Sequence, residues 1–82
     1  MGTFMWHDQY STFPQLVKAG HQCLSAEKVY LGNFSSLTLC ASACSSKPGC
    51  RFFIYGTGRK AGTCFQEITP DASCINKQKL LV

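Results

Sequence analysis

Four cysteines in the spacing C-x3-C-x5-C-x13-C, namely Cys40, Cys44, Cys50 and Cys64, constrain this chain more than any other feature. Cys23 and Cys74 flank them and bring the total to six. The chain has 82 residues, a length suited to one domain. A domain this short buries only about 60% of its unfolded surface and needs help to be stable. An even set of cysteines at this density reads as a disulfide framework. Such frameworks form in oxidising compartments, so an extracellular, secretory or lumenal location is expected.

Other uses of these cysteines fit less well. Cys40 and Cys44 have the spacing of one zinc ligand pair, but His7 and His21 lie outside the cysteine-rich centre. An all-cysteine site from Cys40, Cys44, Cys50 and Cys64 would strand Cys23 and Cys74. A redox enzyme needs a reactive pair such as C-x-x-C, and the chain has none. No metal or cofactor is expected.

The segments between the cysteines define a coarse structure. Leu37, Cys40, Ala41 and Cys44 fall at i, i+3, i+4 and i+7, one face of a helix expected over about Leu37 to Ser45. Ser35 or Ser36 is its N-cap. Pro48-Gly49 then turns the chain. Arg51-Phe52-Phe53-Ile54-Tyr55 is aromatic, β-branched and ended by glycine, which predicts a strand. Thr63 to Ile68 is the returning strand, after a glycine-rich loop over Gly56 to Gly62. Lys28 to Leu31 reads as a short strand ended by a Gly32-Asn33 turn. Leu80-Leu81-Val82 is a candidate edge strand. The Asn33-Phe34-Ser35 triplet matches the acceptor pattern for N-glycosylation.

Side-by-side placement of Cys40 and Cys44 on one helix face disfavours a bond between them. The short turn after Cys44 returns Cys50 to the helix end, so Cys44–Cys50 is the economical pair. Cys40, one turn earlier, reaches across the hairpin to Cys64. Cys23–Cys74 remains and ties the ends of the domain together. By loop entropy the three bonds contribute, in order of increasing loop length, roughly 2.4, 3.5 and 4 kcal/mol as upper values.

These residues resemble the PAN/apple family. That family carries C-x3-C on its helix, then a strand with the pattern C-x2-F-x-Y, then a cysteine on the next strand. Here the matching residues are Cys40-x3-Cys44, Cys50-x2-Phe53-x-Tyr55 and Cys64. The Cys23 and Cys74 pair is similar to the end-to-end bond of apple-type members. The hairpin style looks like protist and algal copies. The resemblance spans about residues 21–75. It implies an α+β disulfide-stapled domain, one α-helix packed on an antiparallel β-sheet, that binds protein or carbohydrate without catalysis.

Residues 1–20 lack a counterpart in that pattern and are expected to form an aromatic-rich arm ahead of a domain over residues 21–82. The arm has neither helical nor strand periodicity. It carries Phe4, Trp6 and Phe13, too apolar for a solvated tail, so these residues are expected to anchor it on its own domain or on a partner. The family pattern places Phe53 and Tyr55 on the helix side of the sheet. Phe52, Ile54 and Phe65 then face the other way, as a patch that the arm or a partner should cover.

The chain carries eight Lys/Arg against four Asp/Glu, a net charge of +4, and the basic residues are scattered. That is not the dense stripe of a nucleic-acid binder. The exception is Arg59-Lys60, in the glycine-rich loop. Gly58, Arg59 and Lys60 form a candidate site for an anion, with backbone N–H groups and two cations aimed at a sulfate, carboxylate or anionic glycan. Gly56-x-Gly58-x-x-Ala61 is a loose dinucleotide fingerprint, but it joins two strands rather than a strand to a helix.

Neither histidine has an evident nucleophile or orienting acid, so no catalytic residues are assigned. No apolar run reaches the ~18 residues of a membrane span. Trp6, His7 and Asp8 interrupt the region where a signal peptide needs an apolar core, so a mature form or part of a longer chain is expected. The function expected is a binding module for protein or glycan outside the cytosol. The alternative is a small accessory subunit of a lumenal or extracellular assembly, photosynthetic if the algal resemblance holds, anchored by the arm.

Overall fold

The computed structural model describes residues 2–9, 14–20, 22–23, 27–69 and 80–81. The central helix forms where the cysteine periodicity placed it. This helix, α1 (Leu37–Ser45), buries Cys40, Ala41 and Cys44 on one face. Ser36 is the N-cap, and its hydroxyl accepts a hydrogen bond from the Leu39 N–H at 3.3 Å. Beyond the helix, the Lys47 N–H donates to Cys44 O (3.0 Å) and the Cys50 N–H to Lys47 O (3.1 Å), which folds the chain back. Gly49 makes that turn with φ of 81°, a conformation that glycine adopts without steric cost.

The strands are β1 (Phe4–Asp8), β2 (Gln15–Ala19), β3 (Gln22–Cys23), β4 (Glu27–Asn33), β5 (Phe52–Gly56), β6 (Thr63–Ile68) and β7 (Leu80–Leu81). Five of them make an antiparallel sheet in the order β2-β1-β5-β6-β4, and β3 pairs with β7 in a separate two-stranded ladder. The result is a small α+β domain, one helix on a five-stranded antiparallel sheet, held by disulfides.

One disulfide joins the helix to β6 and another joins it to the turn that leads into β5. Cys40 bonds to Cys64 of β6 with Cα atoms 5.7 Å apart, and Cys44 bonds to Cys50 at 5.3 Å. The four cysteines that a zinc site would require are therefore consumed as cystine. The Cys23–Cys74 pair lies outside the described residues, as do Phe13 and His21.

Residues 4–8 and 15–19, without legible periodicity in the sequence, form a hairpin within the sheet. The edge strand β2 has mostly exposed side chains, while β1 buries Phe4, Trp6 and His7 on both of its faces. Neither pattern alternates, so neither looks like a strand in isolation. The pairing also slips between Trp6 and His7. Lys18 lies opposite Trp6 and Leu16 opposite His7, leaving Val17 as the extra residue of a bulge. A bulge of this kind breaks the period-2 signal in the chain that carries it.

A second irregularity explains the end of β4. Gly32-Asn33 reads as a turn, yet the strand continues through both residues, with Gly32 opposite Cys64 and Asn33 opposite Thr63. The register shift between Tyr30 and Gly32 leaves Leu31 as the extra residue, and Gly32 beside it has φ of 139°.

Two apolar clusters lie on the two faces of the sheet. On the helix side, Cys40, Ala41, Cys44, Phe53 and Cys64 form one buried group, with Leu31, Phe34, Leu37, Cys50 and Tyr55 at its margin. The Tyr55 hydroxyl donates to Phe34 O at 2.8 Å, which closes that margin. On the opposite side, Phe4, Trp6, Phe52 and Ile54 form the second group, with Val17 and Phe65 packed against it. Phe4 and Trp6 are thus in-plane neighbours of Phe52 and Ile54, opposite Gly56 and Ile54 in the β1–β5 ladder, rather than a lid over them.

Ion pairs fasten the strand ends. Lys28 and Glu67 are cross-strand partners, and their charges lie 3.3 Å apart with the Glu67 side chain fully buried. Arg51 donates two hydrogen bonds to the Asp8 carboxylate, at 3.0 and 3.1 Å, and its guanidinium lies 4.8 Å from the Phe52 ring centroid. The paired Arg–carboxylate geometry orients β1 on the start of β5, although so exposed a pair contributes at most about 1 kcal/mol.

Candidate functional site

The loop between β5 and β6 is anchored at several points. Residues Gly58–Lys60 form a 3₁₀ turn, in which the Lys60 N–H donates to Thr57 O (3.0 Å) and the Ala61 N–H to Gly58 O (3.1 Å). Thr57 donates to Thr3 O twice, from its N–H at 2.8 Å and from its hydroxyl at 3.2 Å. The turn folds back on the end of β5 so tightly that a Cβ at Gly56 would lie 2.0 Å from Lys60 O. Only glycine fits there.

This packing changes how an anion would be held at Gly58, Arg59 and Lys60. The Lys60 and Ala61 N–H groups point into the turn and are not aimed at solvent. The Arg59 and Lys60 side chains are the groups that remain exposed. Lys60 is also placed: its Nζ lies 5.0 Å from the Phe4 ring centroid, a cation–π contact of about 0.5–1 kcal/mol.

Phe4 continues the contact into the sheet. Its ring meets Phe65 edge-on, with centroids 6.1 Å apart and planes at 75°. Phe65 in turn meets Tyr30, at 5.4 Å and 59°. Lys60, Phe4, Phe65 and Tyr30 therefore form a continuous row across the loop end of the sheet. Phe4 is buried and Phe65 half-buried, but Tyr30 is 59% exposed. The row presents a phenol ring at one end and the Lys60 cation at the other.

The positions marked in the sequence divide accordingly. Phe52 and Ile54 are fully buried within the chain, whereas Phe65 reaches the surface. Arg59 and Lys60 are both exposed, and Lys60 lies over the Phe4 ring. Trp6 is fully buried against Phe52, with ring centroids 6.2 Å apart. Tyr30 was not legible as a surface ring, because the segment Lys28 to Leu31 alternates weakly. Its pairing opposite Phe65 is the tertiary fact that exposes it.

His7 belongs to the scaffold. It is buried, stacks flat on Phe53 at 5.1 Å, and its Nδ1 lies 3.1 Å from Met5 O, where the N–H donates to the carbonyl. Burial pushes its pKa below the usual histidine value, and the Met5 hydrogen bond opposes that more weakly. Among the described residues no group of three His, Cys, Asp or Glu side chains converges as a metal site, and no helix is long and apolar enough to cross a membrane.

A family model for the PAN domain matches residues 10–76 of the chain. The chain belongs to the PAN domain family. The matched span takes in β2, α1, β5 and β6 with their cysteines, and β1 precedes it. PAN domains are protein- and carbohydrate-binding modules of extracellular proteins. The disulfides and the family together fit an extracellular or otherwise oxidising compartment. No curated protein and no solved structure matches the chain. In this PAN domain the cysteines, the helix and the inner strand faces are scaffold, and the loop end of the sheet carries the exposed ring and cations.

Proposed function

We propose that this PAN domain is a non-catalytic recognition module whose working surface is the row from Tyr30 through Phe65 to Lys60, with Arg59 beside it. The observation that carries the reading is the unbroken ring contact between the exposed Tyr30 and the cation held over Phe4. A sugar ring has an apolar face that can lie on a phenol ring, and an anionic substituent is met by Arg59 and Lys60 through charge-assisted hydrogen bonds. The ligand class favoured is an anionic glycan, sulfated or carboxylated. The place of action is outside the cytosol, secreted or lumenal.

Binding to immobilised heparin, with a desulfated form as control, tests the reading. Arg59→Ala with Lys60→Ala removes the charged contacts. At about 1.5 kcal/mol for each lost charge-assisted bond, affinity falls at least tenfold and its salt dependence flattens. Tyr30→Ala, at a site too exposed to disturb folding, lowers affinity with little change in salt dependence. Wild-type affinity in both variants would end this assignment.

A further inference from the structure

The geometry points to Asn33 as an N-glycosylation acceptor, with its glycan at the edge of the sheet beside the loop between β5 and β6. The triplet Asn33-Phe34-Ser35 satisfies the acceptor pattern. A sequence match alone is common. What distinguishes this triplet is how the fold divides it. Phe34, the middle residue, is turned inward: it packs at the margin of the helix-side cluster, its N–H donates to Gly62 O at 2.8 Å, and its carbonyl accepts the Tyr55 hydroxyl at 2.8 Å. Asn33 and Ser35, the two residues that carry the chemistry, are exposed. The helix cap is supplied by Ser36, so the Ser35 hydroxyl is not committed to that role.

The asparagine side chain is also placed. Gly62 has φ of 91°, and a Cβ on it would lie 2.7 Å from Asn33 Oδ1 and 3.1 Å from Asn33 Cγ. The missing side chain at Gly62 is what lets the Asn33 carboxamide lie against the turn with Oδ1 inward. Asn33 as a whole remains exposed there. Asn33 ends β4, the edge strand in the order β2-β1-β5-β6-β4, and among the described residues no strand pairs on its far side. A glycan there would stand at the sheet edge, where bulky surface groups protect a strand from pairing with another chain.

The reaction needs a glycan donor, an oligosaccharide linked to a polyprenyl pyrophosphate, and the transferase of the secretory route. Nδ2 of Asn33 bonds to C1 of the first sugar as the C1–O bond to the pyrophosphate breaks. The lipid pyrophosphate leaves with the bonding electron pair, and one amide proton is released. Nothing in this depends on which ligand the Tyr30 row binds.

Secretion of the full chain from a eukaryotic host behind a secretion signal, followed by gel mobility before and after peptide N-glycosidase, tests the assignment. The wild-type chain should run as a slower species that the glycosidase shifts down in one step. Ser35→Thr, which keeps the hydroxyl, should retain that step. Asn33→Gln and Ser35→Ala should each abolish it. Reading cell-retained and secreted protein together keeps the result independent of how well a variant folds. Wild-type protein found at its unmodified mass would overturn the assignment, as would a step that persists in Asn33→Gln.

Discussion

Replacing Trp6 by alanine is expected to remove most of the stability of this domain. Trp6 is fully buried, packs on Phe52, and occupies the β1 position opposite Ile54. Truncating a buried tryptophan to alanine costs about 3–5 kcal/mol, through lost transfer energy and the cavity left behind. A domain of this size is expected near the low end of the usual 5–15 kcal/mol range, so the variant should be close to unfolding. With a urea dependence of about 1.5 kcal/mol/M, the denaturation midpoint should fall by about 2–3 M. Circular dichroism provides the common probe. Trp6 is the sole tryptophan, so wild-type fluorescence reports the same site independently, moving to the red as the chain unfolds. Trp6→Phe is the informative partner variant. The indole Nε1 is buried with no hydrogen-bond partner among the described residues, so phenylalanine removes that donor while keeping most of the packed ring. Its net cost should stay below about 1.5 kcal/mol. If Trp6→Ala lost less than about 1 kcal/mol, the integration of β1 into the core would be refuted.

Two further outcomes follow from the same structure. Replacing both Cys40 and Cys64 by alanine should cost about 3.5 kcal/mol in loop entropy, against about 2.4 kcal/mol for Cys44 and Cys50. The separations behind these values are 24 and 6 residues, and the burial of both Cys40 and Cys64 adds to the first cost. Urea midpoints of the two double variants in the reverse order would contradict this account. Stability should also fall in mild acid because of His7. Its folded pKa lies below the unfolded value, so its contribution is intact above about 6.5. It is lost as the pH drops toward the folded pKa, because the unfolded chain takes up the proton first. His7→Phe should flatten the stability profile in that window, and an unchanged slope would point to other groups.

The family resemblance read from Cys40-x3-Cys44, Cys50-x2-Phe53-x-Tyr55 and Cys64 agrees with the family match to residues 10–76. Those signals are local: a helix face repeats within one or two turns, and a cysteine-led aromatic strand declares itself within five residues. The helix bounds and the β6 strand were legible for that reason. The candidate site was legible only in pieces. Arg59 and Lys60 stood out as adjacent cations, and Phe65 as the outward ring of its strand. Tyr30 and Phe4 had no local mark to connect them with either.

The sequence by itself determined the helix, the central hairpin, the Cys40–Cys64 and Cys44–Cys50 pairs and the family, because each rests on spacing within a short stretch of chain. Only the tertiary structure decided the place of residues 4–8 and 15–19. Residues 4–8 become a strand by pairing with β5, far along the chain, residues 15–19 by pairing with residues 4–8, and a bulge at Val17 erases the alternation that would have announced the second of them. The same holds for the surface. Cross-strand register sets Tyr30 on Phe65, β1 sets Phe4 beside Phe65, and the fold of the 56–62 turn brings Lys60 over Phe4. Each of those contacts joins residues remote in sequence, and such contacts exist only after the chain has closed its loops and packed.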